Sequence, residues 1–144
     1  MTAYELRIGN LVTDEFYDSF HTIIIVESIN DNGINLEIED DGNYPEIARK
    51  WIEPYYNFDF IKPIPLTEEW LVKFGFKKDE IGVFVNICYK QNLSIGLNLV
   101  GDKYCIVYLT GSFGMVQPKH IKSVHQLQNL YFALTGEELT LKEQ

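Results

Sequence analysis

The sequence predicts an α+β fold, with an N-terminal half of antiparallel strands and a C-terminal half of α-β-β-β-α order. β-branched and aromatic residues fill several short runs that are bounded by turn residues. An Asn32-Gly33 pair, a strong hairpin signal, separates two of these runs. Helix-capping residues around apolar stripes occur at 67–75 and again at 123–136. Strands followed by a helix-flanked meander are typical of an α+β protein.

The N-terminal half, residues 1–60, is predicted to be β structure. Within Ile8–Val12 a strand is expected to open after the turn-prone Gly9-Asn10 pair. A second strand is expected at Thr22–Ile29, which is apolar enough to predict burial on both faces. The strand after Gly33 alternates apolar and polar residues as far as Glu39. Short strands joined by tight turns predict a small SH3-like barrel or a curled sheet.

Residues Trp51–Pro65 join the halves and combine aromatic residues with prolines. The prolines exclude a regular helix, so an extended segment is predicted. Its apolar side chains favour an aromatic/Pro strap packed across both halves over a flexible linker. The division into 1–60 and 61–144 is then a division within one compact unit.

The C-terminal half, residues 61–144, contains clear signals for the starts and ends of helices. Thr67 is a predicted N-cap, and Gly75 ends the helix that follows it. The final helix is predicted from a Ser123 cap, with Gln126 at the capping-box position, to Gly136. Its predicted apolar stripe is Val124, Leu127, Leu130, Tyr131 and Leu134. The strands expected between the helices are Gly82–Tyr89, Leu93–Val100 and Lys103–Leu109.

The net charge of −9 is unevenly distributed over the 144 residues. Twelve acids against two bases lie between Asp14 and Asp59, a net of −10, whereas nine Lys against eight acids follow, a net of +1. An acidic N-terminal half repels phosphate backbones and argues against nucleic-acid binding there. The simplest interpretation is solubility. The sharper one is a face that docks a basic protein partner, with Glu37, Glu39, Asp40, Asp41, Tyr55 and Tyr56 as the predicted contact residues.

Composition also bears on where the protein works. No apolar run approaches the roughly 18–20 residues of a membrane span, and Met1–Arg7 lacks the apolar core of a signal peptide. Cys88 and Cys105 form no CxxC pair and lie in apolar runs, which predicts reduced, buried thiols, with a disulfide between them as the alternative. We therefore expect a cytoplasmic protein that does not bind membranes.

Motifs for catalysis or cofactor binding are missing from the sequence. His120 and His125 are five residues apart, which does not align them on a helix face, and no HExxH occurs. Ser112 stands in Gly111-Ser112-Phe113-Gly114, which is not a nucleophile elbow. No metal, cofactor or catalytic residue is predicted, and the leading hypothesis is a non-enzymatic protein-interaction module.

Two other classes of function stay open. A small ligand-binding protein or enzyme would have its site between the halves, built from Ser112, His120, His125 and the Tyr55-Tyr56 pair. A structural subunit would form a symmetric oligomer.

Three stretches of the sequence carry a resemblance to a known family. They are Glu5-Leu6-Arg7-Ile8-Gly9-Asn10, then Ile64–Leu71 with Phe74-Gly75-Phe76, and Val124–Leu139. The chain resembles a family of short uncharacterised proteins encoded by gut anaerobic bacteria and by their phages and mobile elements. The resemblance implies an accessory protein of phage or mobile-element type, and it implies no activity, cofactor or site residue.

Overall fold

The computed structural model describes residues 2–14, 23–30, 33–38, 57–88, 93–100, 103–110 and 120–142. These residues form two antiparallel sheets and two α-helices, which confirms a mixed helix and strand fold of the α+β kind. Backbone contacts divide the chain into two compact units, residues 1–64 and 65–144. Each unit is described below by itself.

The first unit contains a four-stranded sheet in the order β3-β2-β1-β4. Its strands are β1 Leu11–Asp14, β2 Ile24–Asn30, β3 Gly33–Ile38 and β4 Ile61–Lys62. Every described pairing is antiparallel, and none joins β3 to β4. The described strands therefore form an open sheet, and they do not close into the SH3-like barrel that was one of the two predicted alternatives.

A tight turn, residues 7–10, precedes β1. The Arg7 N–H donates to Asn10 Oδ1 at 2.8 Å, and the Asn10 N–H donates to the Arg7 carbonyl at 3.1 Å. Gly9 lies in this turn with a φ of 85°, in the left-handed region that glycine adopts most easily. β1 therefore begins at Leu11, directly after the Gly9-Asn10 pair that was predicted to form a turn. The turn is also bonded to β2, since the Gly9 N–H donates to the Val26 carbonyl at 2.8 Å and the Val26 N–H donates to the Asn10 carbonyl at 2.9 Å.

Burial in β2 is one-sided where the sequence predicted burial on both faces. Ile24 and Val26 are buried, Ile25 between them is half-buried and Glu27 is exposed. The described residues of the first unit thus pack a core on the inward face of the sheet. The core consists of Leu6, Val12, Ile24, Val26, Ile34, Leu36 and Ile61.

The described end of the aromatic/Pro strap belongs to this unit. Phe58–Phe60 form a short 3-10 helix, and Asn57 Oδ1 accepts from the Asp59 N–H at 3.0 Å at its start. The extended conformation predicted for these three residues is therefore wrong, since an Asn cap precedes them and no proline interrupts them. Phe58 packs against the core. Residues 51–56 lie outside the described residues, and packing of the strap across both halves stays a prediction.

The second unit contains a five-stranded sheet in the order β5-β6-β7-β8-β9. The strands are β5 Lys77–Lys78, β6 Phe84–Cys88, β7 Leu93–Val100, β8 Lys103–Thr110 and β9 His120–Ile121, and the helices are α1 Glu68–Lys73 and α2 Val124–Thr135. The predicted α-β-β-β-α meander is confirmed by α1, β6, β7, β8 and α2. Two-residue strands β5 and β9, which the sequence did not predict, flank it.

The register of this sheet decides the state of the two cysteines. Cys88 pairs with Leu93 on one side of β7, and Cys105 pairs with Asn98 on the other side. Five residues of extended strand separate these positions by roughly 16 Å along β7. A disulfide needs Cα atoms within about 7 Å, so this sheet excludes a bridge within one chain.

Helix α1 begins and ends as the sequence predicts. Thr67 Oγ1 accepts from the Trp70 N–H at 3.5 Å, and Gly75 follows the helix with a φ of 79°. The Phe76 N–H donates to the Leu71 carbonyl at 2.9 Å and the Gly75 N–H donates to the Val72 carbonyl at 2.8 Å. This pair of bonds is a Schellman motif. The motif favours a contact between the side chains of Leu71 and Phe76, and both side chains are buried.

Helix α2 begins at the predicted residue by a different contact. Ser123 makes no side-chain cap bond, and its buried Oγ has no hydrogen-bond partner among the described residues. Instead, Gln126 Oε1 accepts from the Lys122 N–H at 2.9 Å, one residue before the capping-box position. Gly136, with a φ of 72°, ends the helix as predicted.

The buried face of α2 is more polar than the predicted stripe. His125, Gln128 and Thr135 are buried, whereas Leu130 and Leu134 are half-buried. Two of the polar groups bond to the backbone: Gln128 Nε2 donates to the Leu139 carbonyl at 3.4 Å, and Thr135 Oγ1 donates to the Tyr131 carbonyl at 2.8 Å. These bonds offset the cost of burying the polar groups.

The segment after α2 returns to α1. Leu139 is buried, and the Lys142 N–H donates to the Lys73 carbonyl at 2.9 Å, at the last residue of α1. The side chain of Lys142 lies over Gly75, where an added Cβ would approach Lys142 Cε to 2.6 Å. The C-terminal segment thus satisfies a carbonyl that the end of a helix leaves open.

Replacing the two predicted N-cap residues should have unequal effects. Thr67→Ala removes an acceptor from the first turn of α1 and should lower the free energy of unfolding by about 0.5–1 kcal/mol. Ser123→Ala removes a buried hydroxyl that has no partner among the described residues, and should change the free energy of unfolding by less than about 0.5 kcal/mol or raise it. Urea denaturation followed by circular dichroism measures both. Equal losses would contradict the different roles assigned to the two residues.

The contact between Gly75 and Lys142 can be tested against a matched glycine. Gly136 has the same left-handed backbone, but an added Cβ there meets nothing within 4 Å. Gly136→Ala should therefore cost only the backbone strain, about 1–2 kcal/mol, and Gly75→Ala about 0.5–1 kcal/mol more because Lys142 must move. In a Lys142→Ala background the two glycine substitutions should cost the same. A difference that persists there would show that Lys142 is not the cause.

Candidate protein-docking surface

Two glutamates project from the solvent side of the β2–β3 hairpin. Glu37 on β3 is exposed and pairs with Ile25 on β2. Glu27 is also exposed and lies two residues after Ile25 on β2. We call Glu27 and Glu37 the acidic face. Neighbouring strands of a sheet lie about 4.8 Å apart, so one cationic patch can contact both carboxylates.

An irregularity in the ladder positions Glu27. Val26 pairs with Leu36 and Ser28 with Asn35, so Glu27 and Ser28 together stand opposite Asn35. Such a bulge increases the local twist and changes the direction of side chains. Glu27 was not among the residues predicted from the sequence. The available signal was its position, since one carboxylate inside a β-branched run identifies the outward face.

Of the two basic residues described in the first unit, Lys62 lies away from Glu37, whereas Arg7 belongs to a turn whose Gly9 N–H donates to the Val26 carbonyl, next to Glu27. Arg7 is half-buried in the turn before β1. Lys62 is on β4, and β1 and β2 separate it from β3. Three strand spacings amount to about 14 Å, which exceeds the Debye length of about 8 Å at physiological ionic strength. Lys62 therefore compensates the charge of Glu37 only weakly.

Several carboxylates of the second unit serve the fold. Glu68 bonds to Lys78 at 2.8 Å, and Glu69 bonds to Lys73 at 2.9 Å one helical turn away. Asp79 Oδ1 accepts from the Ile81 N–H at 3.0 Å and from the Val83 N–H at 2.8 Å, which orders the turn before β6. The excess negative charge of the sequence thus belongs to the first unit.

The other predicted contact residues lie outside the described residues. These are Glu39, Asp40, Asp41, Tyr55 and Tyr56, and Ser112 of the alternative ligand site is among the same undescribed residues. Of the predicted histidines, His120 is exposed on β9, whereas His125 is buried on α2. His125 is buried because the buried face of α2 is wider than the predicted apolar stripe.

The described residues offer no arrangement suited to metal chemistry. Within them, no group of three or more His, Cys, Asp or Glu side chains is placed to hold a metal ion. No helix in the described ranges is long and apolar enough to cross a membrane. What the acidic face can do chemically is attract and orient cationic groups.

Comparison with protein-family models, with curated proteins and with solved structures finds no match for this chain.

Neutralising Glu37 should stabilise the protein at low salt. Glu37→Gln relieves repulsion from Glu27 and should raise the free energy of unfolding by about 0.2–0.5 kcal/mol. The gain in the free energy of unfolding should disappear at about 0.5 M NaCl, because salt then screens the repulsion between the two carboxylates. Urea denaturation at both salt concentrations measures it.

The matched control for that experiment is Glu80→Gln, which removes one exposed carboxylate from the second unit. Because the sequence from Phe60 onward has a net charge of +1, the control should not be stabilised. A loss of stability in Glu37→Gln, or a gain that salt does not alter, would contradict the electrostatic description of the acidic face.

Proposed function

We propose that this chain is a non-enzymatic protein-interaction module that docks a basic surface of a protein partner through its acidic first unit. The observation behind the proposal is the acidic face, where the exposed Glu27 and Glu37 project from neighbouring strands and Glu37 lies three strand spacings, about 14 Å, from Lys62. The sequence supports it further, since Glu39, Asp40 and Asp41 directly follow β3.

Elementary electrostatics supports a protein partner over a nucleic acid. A segment with a net charge of −10 between Asp14 and Asp59 repels phosphates. The same charge accelerates encounter with Lys- and Arg-rich surfaces and fixes their orientation. Charged contacts at the rim of an interface supply specificity and on-rate more than affinity, so an apolar or aromatic anchor is needed as well. Tyr55 and Tyr56 are the proposed anchors.

The proposed setting is the cytoplasm, and the proposed class is an accessory protein of phage or mobile-element type. The register that keeps Cys88 and Cys105 apart suits a reducing compartment, because the chain does not depend on their bridge. The class rests on the resemblance of the three sequence stretches described above.

The decisive experiment compares two charge-reversed pairs. Glu27→Lys/Glu37→Lys reverses the acidic face, and Glu80→Lys/Glu138→Lys reverses two exposed glutamates of the second unit with the same change in net charge. Tagged wild type and both variants are used in pull-downs from the producing cell with mass spectrometry. Affinity for any recovered protein is then measured at two salt concentrations.

We expect a protein that the wild type and the Glu80/Glu138 variant retain and the Glu27/Glu37 variant loses. Losing two rim ion pairs costs up to about 1 kcal/mol each, so affinity should fall about 10- to 30-fold. It should also weaken as salt is raised. Equal recovery by both variants, or a partner whose binding does not respond to salt, would overturn the proposal. Circular dichroism of each variant shows whether it remains folded.

A further inference from the structure

We draw no further inference here: the strongest candidate, the outward face of the β2–β3 hairpin where Glu27 and Glu37 flank the buried carboxamide oxygen of Asn35, belongs to the docking surface already proposed, and nothing else in the described residues points to a ligand there.

Discussion

One-sided burial of the central strand β7 is the constraint on which the second unit depends. Leu93, Ile95 and Leu97 are buried, while Ser94 and Asn98, which alternate with them, are half-buried. Gly96, the remaining alternate residue, is buried but has no side chain. The period of two fixes the register, since a slip of one residue would turn all three apolar side chains to the opposite face. Burying three such side chains contributes about 1.5–3 kcal/mol each, which is enough to select one register over its neighbours.

The loops, strands and helices of that unit are joined to one another by hydrogen bonds to backbone carbonyls. The Leu66 N–H donates to the Lys122 carbonyl at 2.9 Å, and Asn86 Nδ2 donates to the Phe74 carbonyl at 3.3 Å. With the bond from Lys142 to Lys73, these contacts connect segments distant in sequence. Apolar packing alone is not directional. Hydrogen bonds to backbone carbonyls therefore supply much of the geometric definition of this fold.

Sequence reasoning succeeded where one strong local signal decided the structure. The alternation of β7 and the residues Thr67, Gly75 and Gly136 each determine a strand or a helix end by local sterics or one hydrogen bond. It failed where a tertiary contact decided. Two-residue strands β5 and β9 have no periodicity to detect, and they exist only because a neighbouring strand offers its ladder.

The candidate site shows the same limit. Glu37 was predicted to point outward because the alternation of β3 requires it. Glu27 was missed because the apolar run around it suggested burial on both faces, although the alternation with buried Ile24 and Val26 turns Glu27 outward.

The short flanking strands have a consequence for self-association. Among the described residues, the five-stranded sheet continues beyond β6 and β8 into two residues at each side, Lys77–Lys78 and His120–Ile121. A sheet edge invites a strand from another chain when it is long, flat and apolar. Here β5 presents two lysines, and Lys78 is already bound to Glu68. A strand added at β5 would have to pair with only the two residues of this strand and bury their cationic side chains. Both requirements disfavour aggregation by strand addition at β5.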